Sequence, residues 1–365
     1  MKYDVVVIGA GQSGLATGYY LQQAGLRFVI LEKGKAPTGS WPYYYESLRL
    51  FSPAAYSALP DYPFPTSPSH YPTKTEVSHY LQQYAETFQL PILTDVEVKK
   101  VAKKDGDFVV QTTDKTFLAK TVVASSGAFN RPYQPQLPQQ HTFTGNLFHS
   151  SGYKSPEASA GQRVIIVGGG NSAIQIAAEL SQVARVTVAT WRPLRFFPQT
   201  LLGYDVHVWL RRTGADYLPA PESENRPVLD TGKYRQMLRD GVFERRPLFQ
   251  QFTPNGVIWA DGQQESIDTI IFATGYRPSL DYLEPLNGLK PNGFPKQKRG
   301  IAKDIGGLYF VGIPGQRNGA SATLRGSGPD AQHIVRHINR YFKSLSQDVT
   351  RPGWCPLLKQ KISCC

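Results

Sequence analysis

YDVVVIGAGQSGLATGYYLQQAG, residues 3–25, and VIIVGGGNSAIQIAAEL, residues 164–180, are two versions of one pattern. Each opens on a β-branched apolar run of strand length, breaks at a glycine turn and continues at helical spacing. In the first copy Gly9, Gly11 and Gly14 stand in G-x-G-x-x-G order. The first glycine permits a tight turn, the second lets backbone approach a phosphate, and the third lets the helix pack on the strand. The helix predicted from Gln12 to Ala24, with Gln12 and Ser13 at its start, aims unpaired N–H groups and its dipole at that anion. A second strand, Arg27 to Leu31, closes on Glu32 and Lys33, where a carboxylate accepts hydrogen bonds from ribose hydroxyls. Strand, three glycines, helix, strand and terminal acid together define a dinucleotide unit, read here as an FAD site.

The second copy has Gly168, Gly170 and Ala173 in G-x-G-x-x-A order, with Asn171 and Ser172 opening its helix. Both side chains suit a phosphate or a helix cap. Its following strand, Arg185 to Thr190, leads into Trp191-Arg192-Pro193-Leu194-Arg195 with no acid at the end. Arginine forks onto phosphate oxygens, whereas a carboxylate repels a 2′-phosphate. The unit therefore reads as selective for NADPH, with solvated surface charge the bland alternative for Arg192 and Arg195. One unit holds a flavin and the other delivers a hydride to it.

Composition removes several other functions. The chain has 365 residues, 41% of them apolar and 19% charged, a globular balance with no apolar run of membrane-spanning length. No secretory signal pattern opens it, and a cytoplasmic location is expected. The net charge is +12, but the basic residues are scattered, which disfavours nucleic acid and suits a small polyanion. The seven histidines show no metal-ligand spacing, so no metal site is expected. Cys355, Cys364 and Cys365 are the only cysteines. A disulfide reductase needs a thiol pair beside its flavin, and none stands there. The vicinal pair Cys364-Cys365 suits soft ions, but it lies at a chain end without a third sulfur partner nearby.

Between the two units, Phe108–Thr112 and Thr116–Ala124 alternate like strands of an antiparallel sheet. The expected organisation is α/β with two Rossmann-like domains, the second inserted into the first. Residues 1–154 and 276–350 form the FAD-binding domain, 155–275 the NADPH-binding domain, and 351–365 a tail. Gly307–Gly312 reads as a last strand and Asp330–Leu345 as a last helix. Within the second domain the segment 196–252 departs most from a minimal nucleotide fold. It carries Tyr204, His207, Trp209, Tyr217 and Tyr234 among many arginines. A cleft wall, a subunit contact in a homodimer, or an aromatic mini-core are all open for it.

Further motifs narrow the class. Phe143-Thr-Gly145-Asn-Leu-Phe-His149-Ser-Ser-Gly-Tyr153 matches the F-x-G-x-x-x-H-x-x-x-[YFW] fingerprint of the flavin-containing monooxygenases, just ahead of the second glycine turn. Gly39-Ser40-Trp41 is similar to that family's element beside the flavin, and Ala273-Thr274-Gly275-Tyr276 to its ATGY linker. With these the whole chain resembles that family and its N-hydroxylating, Baeyer–Villiger and YUCCA-type relatives. Gly39–Tyr45, Leu50–Ala54, Arg192–Pro198 and Ala320–Gly326 resemble most a bacterial ArsO- or CzcO-like branch.

The resemblance implies that NADPH reduces FAD and that O2 then forms a C4a-(hydro)peroxyflavin. That species would oxygenate a small substrate at nitrogen, sulfur or a carbonyl. The resemblance also sets Val98 against the adenine and Gly127 in a linker turn, here Ala124-Ser-Ser-Gly instead of the usual ATG. The carboxyl end of the last strand brings Gly312 and Gln316 near the flavin ring. Ser52 stands where many relatives place a catalytic asparagine; it is read as a weak hydrogen-bond donor to oxygen or as an ordinary loop serine. His149 is read as an organiser of the link between domains or as a plain structural histidine. An NADPH oxidase without oxygenation, or a non-catalytic nucleotide-sensing partner of a metal or arsenic resistance system, are the alternatives.

Overall fold

A computed structural model describes residues 2–219 and 227–350. β1 (Lys2–Ile8), α1 (Gln12–Gln23) and β2 (Phe28–Leu31) make the first unit, with β1 and β2 parallel and Ile8 beside Leu31. The runs Val5–Ile8 and Phe28–Leu31 are buried throughout, as a parallel sheet covered on both faces requires. α2 (Lys74–Thr87) starts on a capping box: Thr73 Oγ1 accepts from Glu76 N and Glu76 Oε2 accepts from Thr73 N. β3 (Ile92–Leu93) extends the sheet beyond β2. β4 (Val98–Lys104), β5 (Asp107–Thr112) and β6 (Thr116–Ala124) form an antiparallel meander, and the far half of β6 leaves it to run parallel with β1.

The chain then crosses through β7 (Arg131–Pro132) into a second sheet built from β8 (Asn146–His149), β9 (Arg163–Val167) and, after α3 (Asn171–Leu180), β10 (Arg185–Thr190). An insertion follows: β11 (Phe196–Pro198), β12 (Thr200–Leu201), β13 (Tyr204–Asp205), α4 (Val206–Thr213), β14 (Val228–Asp230) and α5 (Lys233–Arg239). β15 (Glu244–Pro247) returns to the sheet beside β10. β16 (Gln251–Thr253), β17 (Gly256–Ile258) and β18 (Gln264–Ser266) make an antiparallel flap, and β19 (Thr269–Phe272) lies between β8 and β9. β20 (Tyr276–Arg277) pairs with β7, so the outgoing and returning chains form a two-stranded hinge. β21 (Gln297–Lys298), β22 (Ile301–Ala302) and β23 (Leu308–Phe310) complete the first sheet before α6 (Leu324–Thr350).

Among the described residues the first sheet runs β21-β22-β23-β6-β1-β2-β3, with β4 and β5 branching off β6. The second runs β15-β10-β9-β19-β8, parallel throughout. Because β23 pairs with β6 after the chain has completed the other sheet, the second Rossmann-like unit is an insertion in the first. Its two glycine turns sit at the carboxyl ends of β1 and β9, where ligands of such sheets gather.

Three expected boundaries move. β8 lies before residue 154 yet pairs in register with β19, so the outgoing crossing falls at β7 and not at 154, and the return runs through β20 at 276. β15 lies inside the segment 196–252 yet belongs to the nucleotide sheet. In both cases a four-residue strand is specified by a partner far along the chain, and its own sequence carries no such signal. α6 begins at Leu324, not Asp330, because Pro329 lies inside its early turns and does not stop it. The carbonyl of Pro329 accepts a hydrogen bond from Arg317 at 2.8 Å. The aromatic residues of the insertion share no core: Tyr204 and Tyr217 are exposed, while His207 is buried and Tyr234 packs against the α3 cluster. The cysteines of the tail lie outside the described residues.

Candidate active site

The first glycine turn is closely packed, with Gly9, Gly11 and Gln12 half-buried. Gly9 has φ +100°, and a Cβ there would stand 2.8 Å from the carbonyl oxygen of Ser125. A Cβ on Gly14 would lie 1.8 Å from the oxygen of Gly9, a distance no side chain survives. Gly11 faces the Cα of Gly39, so the Gly39-Ser40-Trp41 segment closes over the turn. Ser40 shares a hydrogen bond with Tyr44, and Trp41 Nε1 donates to Gln12 Oε1 at 3.0 Å. Gln12 Nε2 in turn donates to the oxygen of Ala322 at 3.0 Å. Ser13 meets Ser327 at 3.3 Å and lies against Gly312, whose φ is +95°. α1 thus starts in a chamber made by the 39–41 segment, the last strand and the head of α6.

Glu32 is buried, and each of its oxygens accepts a backbone N–H: Oε2 from Ala10 at 2.6 Å and Oε1 from Gly34 at 2.8 Å. The acid therefore splints the glycine turn to the end of β2, and a lone pair on each oxygen remains for a ribose hydroxyl. Lys33 is exposed. Val98 opens β4 beside the apolar cluster under the sheet, and Gly127 takes φ +78° in its turn. Gln316 is buried with its amide committed to its own loop, accepting from Ile313 N at 3.0 Å and donating to Phe310 O at 3.1 Å. It holds the loop that carries Gly312 and Gly315.

The second turn is open on one side. Gly168, at φ +139°, is pressed against Ala273, and Ala173 is fully buried. Gly170 has nothing within 4 Å of a Cβ position, and Ser172 is exposed. Asn171 Oδ1 accepts from Leu229 N at 3.0 Å, tying β14 to the turn. Arg192 and Arg195 are exposed beyond β10. Arg245 joins them from β15: its Nε donates to Thr190 Oγ1 at 2.8 Å, which sets a half-buried guanidinium at the end of β10. No motif marks Arg245, one of several arginines between 235 and 246, and only the pairing of β15 with β10 reveals it.

His149 lies at the hinge. Ser151 N donates to its Nδ1 at 3.1 Å, so the hydrogen sits on Nε2, which donates to Gly275 O at 2.9 Å. Burial pushes its pKa down, against the opposing bond to Gly275. Its ring meets Tyr276 edge-on. A neutral histidine thus ties β8 to the Ala273-Thr274-Gly275 linker, where Thr274 also donates to Tyr133 O. Ser52 shares a 2.9 Å hydrogen bond with Ser57. Two contacts invisible in the sequence pin the insertion over the first unit. Gln199 Nε2 donates to Phe51 O at 3.0 Å, and Arg325 grips Asp216 through two 3.0 Å bonds.

The residues present fit two dinucleotides. Neither α1 nor α3 has a side chain capping its first turn, each N-cap is a glycine, and both turns demand glycine at their tightest points. Each cradle lies at the carboxyl end of a parallel strand, one in each of the two sheets. The chain belongs to the pyridine nucleotide-disulphide oxidoreductase family, which matches residues 6–232. Within that family the chain is flavin monooxygenase-like, close to the CzcO branch. It is 32% identical to an uncharacterized CzcO-like oxidoreductase of Geobacillus kaustophilus, over 92% of this chain and 98% of that one. A probable indole-3-pyruvate monooxygenase of Arabidopsis thaliana, YUCCA7, is 30% identical over 93% of this chain and 88% of its own. The flavin-containing monooxygenase of Stenotrophomonas maltophilia superposes with TM-score 0.84 at 34% identity, covering 93% of this chain and 99% of that one. The chain is thus a flavin-dependent oxidoreductase of monooxygenase type, with FAD and NADPH as its cofactors. The disulphide chemistry in the family's name has no thiols to use within residues 6–232, where no cysteine occurs.

Proposed function

We propose that this chain is an NADPH-dependent FAD monooxygenase acting on a small substrate whose nitrogen, sulfur or carbonyl accepts an oxygen atom. The observation that carries the reading is the contrast of two glycine cradles: one packed against the 39–41 segment and the buried Glu32, the other more open and edged by Arg192, Arg195 and Arg245. Bound FAD supplies the redox centre that takes a hydride from NADPH and activates O2, one atom leaving as water. The protein's part is placement. Gly9, Gly11 and Gly14 with the head of α1 hold the FAD pyrophosphate, and Glu32 with Lys33 faces its ribose. Gly168, Gly170, Asn171, Ser172 and Ala173 hold the pyrophosphate of NADPH. Arg192, Arg195 and Arg245 hold the 2′-phosphate, which a carboxylate at this strand end would reject.

A neutral His149 serves the hinge and not the chemistry, since both ring nitrogens are spent. A cytoplasmic site, where NADPH is supplied, accompanies the reading.

The decisive experiment mixes NADPH-reduced protein with aerated buffer in a stopped-flow instrument. A transient near-ultraviolet absorbance before oxidised flavin returns supports oxygenation. Direct return to oxidised flavin makes the protein an oxidase. A colourless protein unable to take up FAD would remove both readings and leave a nucleotide-sensing role.

A further inference from the structure

We propose that the segment 40–47 is a strap that couples the two cradles, with Tyr45 the positioning residue that carries the state of the FAD site to the head of α3. The proposal rests on the placement of FAD and NADPH in the two turns. It goes beyond that placement by making the two sites one thermodynamic unit.

The strap begins on the first turn. Gly39 has φ +58°, and a Cβ there would stand 2.9 Å from the Cα of Gly11. Trp41 donates to Gln12, and Ser40 bonds Tyr44 at 3.1 Å, so this end follows the head of α1. Trp41–Tyr43 make one tight turn, after which Tyr44 is extended at φ −73° and ψ 170°. Extended backbone sends neighbouring side chains to different partners. Tyr44 stays with Ser40, and Tyr45 enters the other unit.

Lysines hold the crossing point. Lys154, between β8 and β9, donates from Nζ to Tyr43 O, and its own carbonyl accepts from Glu46 N at 2.9 Å. Lys74 Nζ donates to Tyr44 O.

Tyr45 is only 5% exposed and packs into the apolar cluster of the second unit, its ring 6.1 Å from that of Tyr153. Its hydroxyl donates to Gln175 Oε1, and Ser47 Oγ donates to Glu179 Oε2 at 2.8 Å. Tyr153 donates to the same Glu179 oxygen at 2.9 Å. Gln175 and Glu179 stand one turn apart on α3, and Gln175 lies three positions after Ser172 on one face. The Ser172 hydroxyl is a second hydrogen-bond partner of the Tyr45 oxygen. Burial, helped by Tyr234 and Glu179, pushes the Tyr45 phenol up, so it stays a neutral donor. A residue of the first unit thus holds the first turns of α3, whose leading N–H groups face the proposed seat of the NADPH pyrophosphate.

The coupling follows from ordering. FAD seated against Gly11 fixes the start of the strap, and a fixed strap holds Tyr45 on Gln175. NADPH then has less of the protein to order when it binds. By linkage NADPH tightens FAD by the same factor. Such a device suits an enzyme that gains by taking up its reductant only when the flavin is in place.

The test measures two affinities in the full-length holoprotein. The Kd for FAD is read from flavin fluorescence on dilution, with and without saturating NADP+, and the Kd for NADP+ by calorimetry. In the parent, NADP+ should tighten FAD about tenfold. In Tyr45→Phe that factor should fall to within about twofold, and NADP+ should bind about 5- to 10-fold more weakly. The FAD Kd without NADP+, and kcat for flavin reduction at saturating NADPH, should stay within about twofold of the parent. FAD affinity lost equally with and without NADP+ would make Tyr45 a structural support and overturn the proposal. So would a parent whose FAD affinity ignores NADP+, or a Tyr45→Phe protein that keeps the full factor. Should Tyr45→Phe fail to fold, Ser47→Ala decides: a smaller factor supports the strap, and an unchanged one removes it. A parent that binds neither nucleotide refutes the cofactor placement and the strap with it. One that couples both yet oxygenates no substrate refutes the monooxygenase reading alone.

Discussion

The two glycine turns are built from one sequence pattern and end as opposites. In the first, Gly11 touches Gly39, Ser13 touches Ser327, and Glu32 is folded in against the turn's own backbone. In the second, Gly170 faces open space, Ser172 is exposed and the cations at the strand end reach outward. Enclosure slows escape, which suits a resident cofactor, and openness suits a reductant that arrives and leaves each cycle. The difference lies in what the rest of the chain lays over each turn, since the turns themselves are nearly alike.

The comparison breaks most sharply at glycine. Gly14→Val should abolish flavin absorbance, because its side chain meets the oxygen of Gly9; circular dichroism would show whether the remaining fold survives. Gly170→Ala, at φ −90° and with room for a methyl, should keep its flavin and raise the KM for NADPH only about tenfold, roughly 1.4 kcal/mol. Full flavin occupancy in the Gly14 variant would refute the placement of the FAD pyrophosphate.

A smaller effect sharpens the second cradle. Arg245→Met should raise the KM for NADPH about 10- to 100-fold, the worth of a charge-assisted hydrogen bond, and Arg192→Ala somewhat less because that side chain is exposed. NADH should be unaffected by either. Steady-state kinetics giving equal losses for both nucleotides would sink the 2′-phosphate assignment.

The pin between the units should be acid-labile. Asp205 joins it by accepting from Tyr71 and, at 2.6 Å, from Gln199 Nε2. Against its burial, these bonds and those from His207 hold its carboxyl at about 2 from an ordinary 3.8. A depressed carboxyl adds stability that is present above about pH 4 and lost as pH falls through 2. Asp205→Asn should therefore flatten the acid limb of thermal melting between pH 4 and 2, and an unchanged limb would show that the pin contributes nothing. The least effect is expected at His333 on α6. Burial and the nearby Arg317 and Arg299 lower it to about 4. The unfolded chain then binds the extra proton first, and stability declines as pH falls from about 6.5 to 4. His333→Gln should reduce that slope in melting experiments, and an unaltered slope would assign it to other groups.

Much of this was legible before any coordinates. Val5–Ile8 and Val164–Val167 end in glycines spaced as in a phosphate-binding turn, and in the structure a Cβ on Gly9, Gly14 or Gly168 would collide with a backbone oxygen. Glu32 was legible as an acid at a strand end, though its two bonds to backbone N–H groups were not. Arg245, Gln199 and the Asp216–Arg325 pair carried no signal. Each acts through a partner about 50 to more than 100 residues away, and a hydrogen bond at that range leaves no local period or motif.

Sequence alone thus marked the two glycine turns and the unlike charge of the residues that follow them, because glycine spacing, apolar runs and the residue at a strand's end are local constraints. The tertiary structure decided the rest: where the units join, which turn is enclosed, and how Tyr45 and Ser47 of the first unit come to reach Gln175 and Glu179 on α3. Those features depend on strand pairing and long-range packing, which exist only once the whole chain has closed on itself.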